Sequence, residues 1–526
     1  MLFNSYGFIF LYLPLVLLGF FLLARASHKL AAGWLAAASL FFYGYWNPAY
    51  VGLLFGSILC NYALGLGIAR SRESGIRGQG SVKSKRLLVL AIAANLLLLC
   101  YYKYANFFLD SVNSIASSQL SLGEIILPLG ISFFTFTQIA FLADTYQGKV
   151  KEVNFIHYTL FVTYFPHLIA GPVLHHKEMM PQFAQAATYR FNYQNMAVGL
   201  TIFFIGLFKK VVLADGIAVY VGPVFAAPAA GVALTFVDAW GGVLCYSLQL
   251  YFDFSGYSDM AIGLSRLFGV TLPLNFHSPY KSVNIIEFWR RWHMTLSRFL
   301  RDYLYFPLGG NRKGASRRYI NLLATMLLGG LWHGAGWTFV IWGGLHGLYL
   351  AINHGWQSLR LRLGQNPHAP LSKTMHALAV LLTFLAVTVA WVFFRADSLD
   401  SALAMLQAMA GGNGVVLPDA WLVKWGAVGT WLAAQGIAFG ATNGLIMGGA
   451  LNWIWILLLI VWLAPNTQQI TGYVGPEGAY GSGISEPGPP AFRWNASWRW
   501  AIFTGLLLAV SLMLMSRVSE FIYFQF

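Results

Sequence analysis

The stretch GGLWHGAGWTFVIWGGLHG, residues 329–347, sets two histidines, His333 and His346, among glycines, tryptophans and aliphatic residues. A third, His293, closes the run EFWRRWH forty residues before His333. An imidazole titrates near neutrality, so it can take the proton of a hydroxyl that attacks a carbonyl, a contribution of roughly 10²–10⁴-fold in rate. Ionisable groups inside a bilayer are costly and mark function. Counted from Tyr319 at ~1.5 Å per residue, a helix carries His333 about 20 Å inward, towards the middle of a membrane. The competing role for His333 is a core histidine bonded to a carbonyl. His346 lies thirteen residues further on, ~20 Å along any continuous helix and more than half a turn round it, which assigns it a structural role. His293 sits on a different element, and two helices can bring it to a cavity shared with His333; the alternative is an inert interfacial imidazole beside Arg290 and Arg291.

Other polar groups admit two readings. Asp253 and Asp259 in LQLYFDFSGYSDMAIG (248–263) suit a proton relay or ion coupling, or plain hydrogen bonding to nearby Ser, Tyr and backbone; the second is the reading preferred. His175, His176 and Glu178 in YFPHLIAGPVLHHKEMMPQF imitate a metal site but lack further ligands, and the Pro-Gly breaks imply a tight turn, so no metal is expected. The chain has no G-x-S-x-G elbow, Walker A loop or H-E-x-x-H pair. Cys60, Cys100 and Cys245 are too dispersed for a disulfide framework or structural zinc.

The elements that must position these groups are set by composition. Of 526 residues 58% are apolar and 10% charged, with a mean hydropathy of +0.61, where soluble domains are nearer a quarter charged. Apolar runs of about 20 residues recur, the length that crosses a ~30 Å hydrocarbon core. An all-α polytopic membrane protein with about eleven crossings is expected, some segments being short, broken or re-entrant. Residues 1–24 read as a first span rather than a cleaved leader. The basic run RSRESGIRGQGSVKSKR (70–86) is assigned to the cytoplasm, which puts the N-terminus outside. The net charge of +15 is read as topology and anion binding, not nucleic-acid binding. Residues 277–318 hold nine Lys or Arg against Glu287 and Asp302. Within them 285–304 has helical periodicity, predicting an amphipathic helix that lies on or dips into the cytoplasmic interface. The run 319–353 is too long for one crossing, and Gly329-Gly330 or Gly334-Ala335-Gly336 could break it. The Gly- and Pro-rich segment 464–497 reads as a surface loop.

Taken together, KYANF, LPLGISFFTFTQIAFLADTY, FPHLIAGPVLHHKEMMPQF, LYFDFSGYSDMAIGL, EFWRRWHMTLSRFLRDYLYFPLGGNRKG, LLGGLWHGAGWTFVIWGGLHG and the terminal FIYFQF resemble, in order, the membrane-bound O-acyltransferases, in the branch of bacterial exopolysaccharide (alginate-type) O-acetyltransferases. The resemblance implies a ring of helices around a thinned centre where two funnels meet. It divides the chain into N-terminal membrane helices (1–100), a catalytic core (101–355) and C-terminal helices (356–526). It implies His333 as the catalytic histidine, by the WHG element, and His293 as a second functional one, by RWHMTLS. Arg290, Arg291, Arg298, Arg301, Trp289 and Trp332 are then the expected acyl-donor contacts, with Asn284, Glu287, Asp253 and Asp259 as supporting polar groups.

The same resemblance implies an acetyl group taken from a cytoplasmic thioester and passed across the bacterial inner membrane for O-acetylation of an extracellular polysaccharide such as alginate or cellulose. Acetyl-CoA, whose phosphates suit the basic stretch, is the expected donor, as a substrate and not a resident cofactor; an acyl carrier protein is the alternative. Implied partners are a periplasmic SGNH-like acetyltransferase and a polysaccharide synthesis and secretion complex. A secondary transporter using Asp253, Asp259 and His333 as a proton path, a non-enzymatic assembly subunit, and a family member acting on a lipid, teichoic acid or protein remain the rival readings.

Overall fold

In a computed structural model of the chain, residues 1–73, 81–152, 154–367, 369–440, 449–476, 488–515 and 522 are described. The middle of the 70–86 loop, much of 464–497 and most of the terminal FIYFQF lie outside these residues. The described residues are mostly helical, with one two-stranded parallel pairing of Val416–Pro418 with Ala438–Gly440. Five helical runs, 8–26, 49–72, 82–116, 193–218 and 373–395, have the length and hydropathy to cross a membrane, and Gly449–Leu463 and Trp498–Leu514 are shorter apolar helices. This is a polytopic helical membrane protein. Their outward faces carry Leu15, Leu18, Leu22, Leu90 and Leu97 exposed, as a lipid-facing surface requires.

The chain forms two units. The first comprises 1–208, 257–275 and 467–518. In it the helices Leu13–Ala26 and His28–Gly44 pack as a pair, tied by Tyr12 Oη donating to the Ala38 carbonyl at 2.9 Å and Trp34 Nε1 donating to Val16 O at 3.1 Å. Helices Ala49–Glu73 and Val82–Leu99 are joined by reciprocal side-chain amides, Asn95 Nδ2 to Asn61 Oδ1 at 2.6 Å and Asn61 Nδ2 to Asn95 Oδ1 at 3.2 Å. Buried amides pair because hydrocarbon offers no other partner. Asp259 belongs to this unit, where it accepts from Thr467 Oγ1 at 2.6 Å and Gln468 Nε2 at 3.1 Å. His176 Nδ1 stands 3.0 Å from Asp144 Oδ2, and Glu178 caps the helix His176–Phe183 by accepting from the His175 amide at 3.2 Å.

The second unit comprises 209–256, 276–466 and 519–526 and contains His293, His333 and His346. Its frame is an aromatic column around Tyr280, whose hydroxyl donates to Ser247 O at 2.8 Å and accepts from Trp391 Nε1 at 3.2 Å. Trp462 Nε1 donates to the Tyr280 carbonyl at 3.2 Å. Asp253, Asp215 and Lys210 form a buried ion cluster here, with Lys210 Nζ 2.6 Å from Asp253 Oδ1 and 2.8 Å from Asp215 Oδ1.

Candidate active site

The site is built on a broken helix. The run 319–353 divides at Gly334-Ala335-Gly336: the helix Gly314–His333 ends on His333, and Trp337–Arg362 begins after two extended glycines. Gly329-Gly330, the other expected break, stays helical and serves packing instead. A Cβ on Gly330 would collide with the Phe339 carbonyl, and one on Gly343 with that of Met326, so the two helices fold back on each other backbone to backbone. The straight-helix spacing that separated His346 from His333 therefore does not apply. The hairpin returns His346 to within two ring contacts: His333 to Trp342 at 5.1 Å between centroids, and Trp342 to His346 at 4.8 Å.

His293 arrives on a second break. The continuous amphipathic helix expected over 285–304 is instead two short helices, Ile285–Arg291 and Met294–Leu300, followed by a wider turn at 301–305. The reason is the backbone of His293, which adopts φ 42°, ψ 52°, the left-handed region that a non-glycine residue occupies at a cost of order 1–3 kcal/mol. Helical periodicity survives the break because the second helix resumes with its apolar face towards the same interior: Trp289, Trp292, His293, Leu296 and Leu300 are all buried. Strained residues of this kind cluster at functional sites.

The two imidazoles meet. Their centroids lie 6.2 Å apart, and both contact Trp332, at 4.9 Å from His333 and 6.3 Å from His293. Trp342 and Phe394 stand edge-on to the His333 ring at 5.1 and 5.3 Å, and Phe254 edge-on to His293 at 4.8 Å. Relative exposure separates the histidines: His333 retains 7%, whereas His293 and His346 retain 0%. His333 is thus the member of the three with accessible surface. Burial pushes the His293 imidazole down to about 3 from an ordinary 6.5, so it is neutral at physiological pH.

The remaining expected residues take varied places. Trp289 Nε1 donates to His346 Nδ1 at 3.3 Å. Asn284 and Glu287 cap the helix Ile285–Arg291, the Asn284 side chain accepting from the Glu287 amide at 3.0 Å and Glu287 Oε2 accepting from the Val283 amide at 2.9 Å. Glu287 also pairs with Arg291 at 2.7 Å, and the Arg291 guanidinium donates to the His277 carbonyl at 3.3 Å. His277 is driven down to about 4 by burial first and by the Arg291 charge second. Arg290 and Arg301 are exposed, Arg301 paired with Asp302 at 2.7 Å, and Arg298 is half-buried. With exposed Arg312, Lys313 and Arg317 they make the segment 290–317 a strongly cationic surface. Trp342, Phe394 and Trp391 were not expected at the site. The signal for Trp342 was the paired small residues Gly330 and Gly343, which imply close helix packing once the chain turns between them.

The family model described as MBOAT, membrane-bound O-acyltransferase family, matches residues 40–394. The chain is 47% identical over 445 residues to the peptidoglycan O-acetyltransferase of Helicobacter pylori, covering 79% of this chain and 81% of that protein. It is 44% identical to the "Probable alginate O-acetylase" of Azotobacter vinelandii, covering 80% of each. It is 30% identical to the teichoic acid D-alanyltransferase of Streptococcus thermophilus, over 51% of this chain and 68% of that one.

Proposed function

Because the chain belongs to the membrane-bound O-acyltransferase family and is an O-acyltransferase, we propose that it takes an acetyl group from a cytoplasmic thioester, acetyl-CoA, and passes it across the inner membrane for O-acetylation of an extracellular polysaccharide, through a periplasmic acetyltransferase partner. The observation that carries the reading is the pairing of His333 and His293, each held at a break in its helix, with centroids 6.2 Å apart. The accessible imidazole, His333, is the general base. As it removes the acceptor's hydroxyl proton, that oxygen attacks the thioester carbonyl carbon; the thiolate then leaves and recovers the proton from the imidazolium. His293, neutral and enclosed, positions this chemistry without adding charge. The cationic surface of 290–317 supports a phosphate-bearing donor, attracted by Coulomb steering. The peptidoglycan O-acetyltransferase among the relatives favours a wall glycan as acceptor alongside alginate-like polymers.

The test is reconstitution in proteoliposomes with labelled acetyl-CoA outside, and with the periplasmic acetyltransferase partner and mannuronate oligomers or muropeptides as acceptors inside. His333→Ala is expected to abolish CoA release and acetyl transfer while the protein keeps its detergent-solubilised melting temperature. Full activity in that variant would refute the reading, and a stable acetyl adduct on His333 would replace direct transfer by a covalent route. Proton-coupled solute uptake in the absence of acetyl transfer would favour a transporter.

A further inference from the structure

Next to the proposed base lies a pair of buried donors that the histidine pair does not use. Trp342 is 1% exposed and His346 0%. Trp289 donates its indole N–H to His346 Nδ1, and an indole nitrogen is a donor only, so Nδ1 must carry a lone pair and the neutral ring its hydrogen on Nε2. Neither His346 Nε2 nor Trp342 Nε1 has a hydrogen-bond partner among the described residues. A buried N–H without an acceptor is costly, and here two such groups occur on rings 4.8 Å apart, one of them 5.1 Å from His333.

Resting on the acyl-transfer reading, we propose that these N–H groups bind the carbonyl oxygens of a pantetheine thioester. Trp342, the nearer to His333, serves the thioester carbonyl; His346, one ring further along, serves the amide carbonyl that follows on the pantetheine arm. As the acceptor oxygen bonds to the thioester carbon, the C=O π pair moves onto oxygen and the hydroxyl proton onto His333. Trp342 Nε1–H stabilises that oxyanion until the pair returns, the C–S bond breaks and the thiolate takes the proton back. Donors aimed at developing charge in a water-poor site act chiefly on the transition state. Trp289 is the positioning residue, since its hydrogen bond selects the His346 tautomer.

Replacing Trp342 site-specifically with benzothienylalanine removes the N–H and keeps the ring. It is expected to lower kcat on the order of 10²-fold, with KM for acetyl-CoA and melting temperature unchanged. His346→Asn, which leaves Trp289 an acceptor, is expected to lower kcat/KM about tenfold for S-acetyl-N-acetylcysteamine, which has the amide, and not for S-acetyl-2-mercaptoethanol, which lacks it. Wild-type kcat in the Trp342 replacement, or equal losses on both small thioesters in His346→Asn, would overturn the proposal. The acyl-transfer reading would stand in that event so long as His333→Ala remained inactive.

Discussion

Substituting Gly343 by alanine tests whether catalysis depends on the closeness of the two hairpin helices. The added Cβ falls short of an ordinary 3.4 Å contact with the Met326 carbonyl by about 1 Å, and it also comes within 3.2 Å of Gly330 Cα. Both obstacles are backbone, so no rotamer change relieves them. The Trp337–Arg362 helix must move away from Gly314–His333 by about 1 Å, taking Trp342 from the edge of the His333 ring. A misplacement of that size costs about 10²-fold in rate, and the overpacking costs about 1–3 kcal/mol of stability. Gly344→Ala is the matched control: one residue along the same helix, its Cβ meets Leu327 Cδ2 at 3.4 Å, ordinary van der Waals contact. The assay is CoA release from acetyl-CoA in proteoliposomes, with melting temperature in detergent measured in parallel. Gly343→Ala is expected to lose about two orders of magnitude in kcat and Gly344→Ala to stay within about twofold. Equal activities in the two variants would refute the claim that hairpin spacing sets the site.

Three further outcomes follow from particular residues. Lys210→Met leaves the buried carboxylates of Asp215 and Asp253 facing each other, a loss of about 3–5 kcal/mol, so size-exclusion of the solubilised protein is expected to show little folded material, whereas Arg301→Met, at an exposed ion pair, is tolerated. Arg312→Glu with Arg317→Glu is expected to raise KM for acetyl-CoA several-fold and flatten its dependence on ionic strength, with kcat unchanged, as steady-state kinetics at about 50 and 300 mM salt, where the Debye length is roughly 14 and 6 Å, will show. His277 has its folded-state value lowered from 6.5 to about 4, so the unfolded chain binds a proton over that interval and the folded one does not. Stability is therefore complete above about pH 6.5 and falls as pH drops towards 4; His277→Gln is expected to flatten a plot of melting temperature against pH across that window.

The membrane class and the family were legible because each leaves a local mark, apolar run length and ordered motifs; a break beside His333 was legible from glycines in a run too long to cross, but not which of the two glycine groups would make it. The break at His293 was not. Trp289, His293, Leu296 and Leu300 repeat at helical spacing, no Gly or Pro marks the turn, and the rings packed on the imidazole, Phe254 and Trp332, come from segments distant in the chain. The nearness of His346 to His333 was hidden for a related reason. Distance along a helix is a sound ruler only while the helix is straight, and the chain reverses three residues after His333. The capping roles of Asn284 and Glu287 were in plain view, since an Asn three residues ahead of a Glu at the start of an apolar helical run is a capping signature.

The three imidazoles are fixed by three different devices, and the differences bear on what each can do. His333 is the last residue of its helix, next to Gly334, and keeps a small accessible surface. His293 is held by a strained backbone and shut in by aromatic rings, which suits a group that must stay neutral and still. His346 is orientated by an indole hydrogen bond that fixes its tautomer. A thioester in a wet site is lost to hydrolysis, so a base serving acyl transfer needs access for one hydroxyl and not for bulk water. On the proposed reading, Trp332, Trp342 and Phe394 would serve that purpose, since they pack against the His333 ring at 4.9, 5.1 and 5.3 Å between centroids.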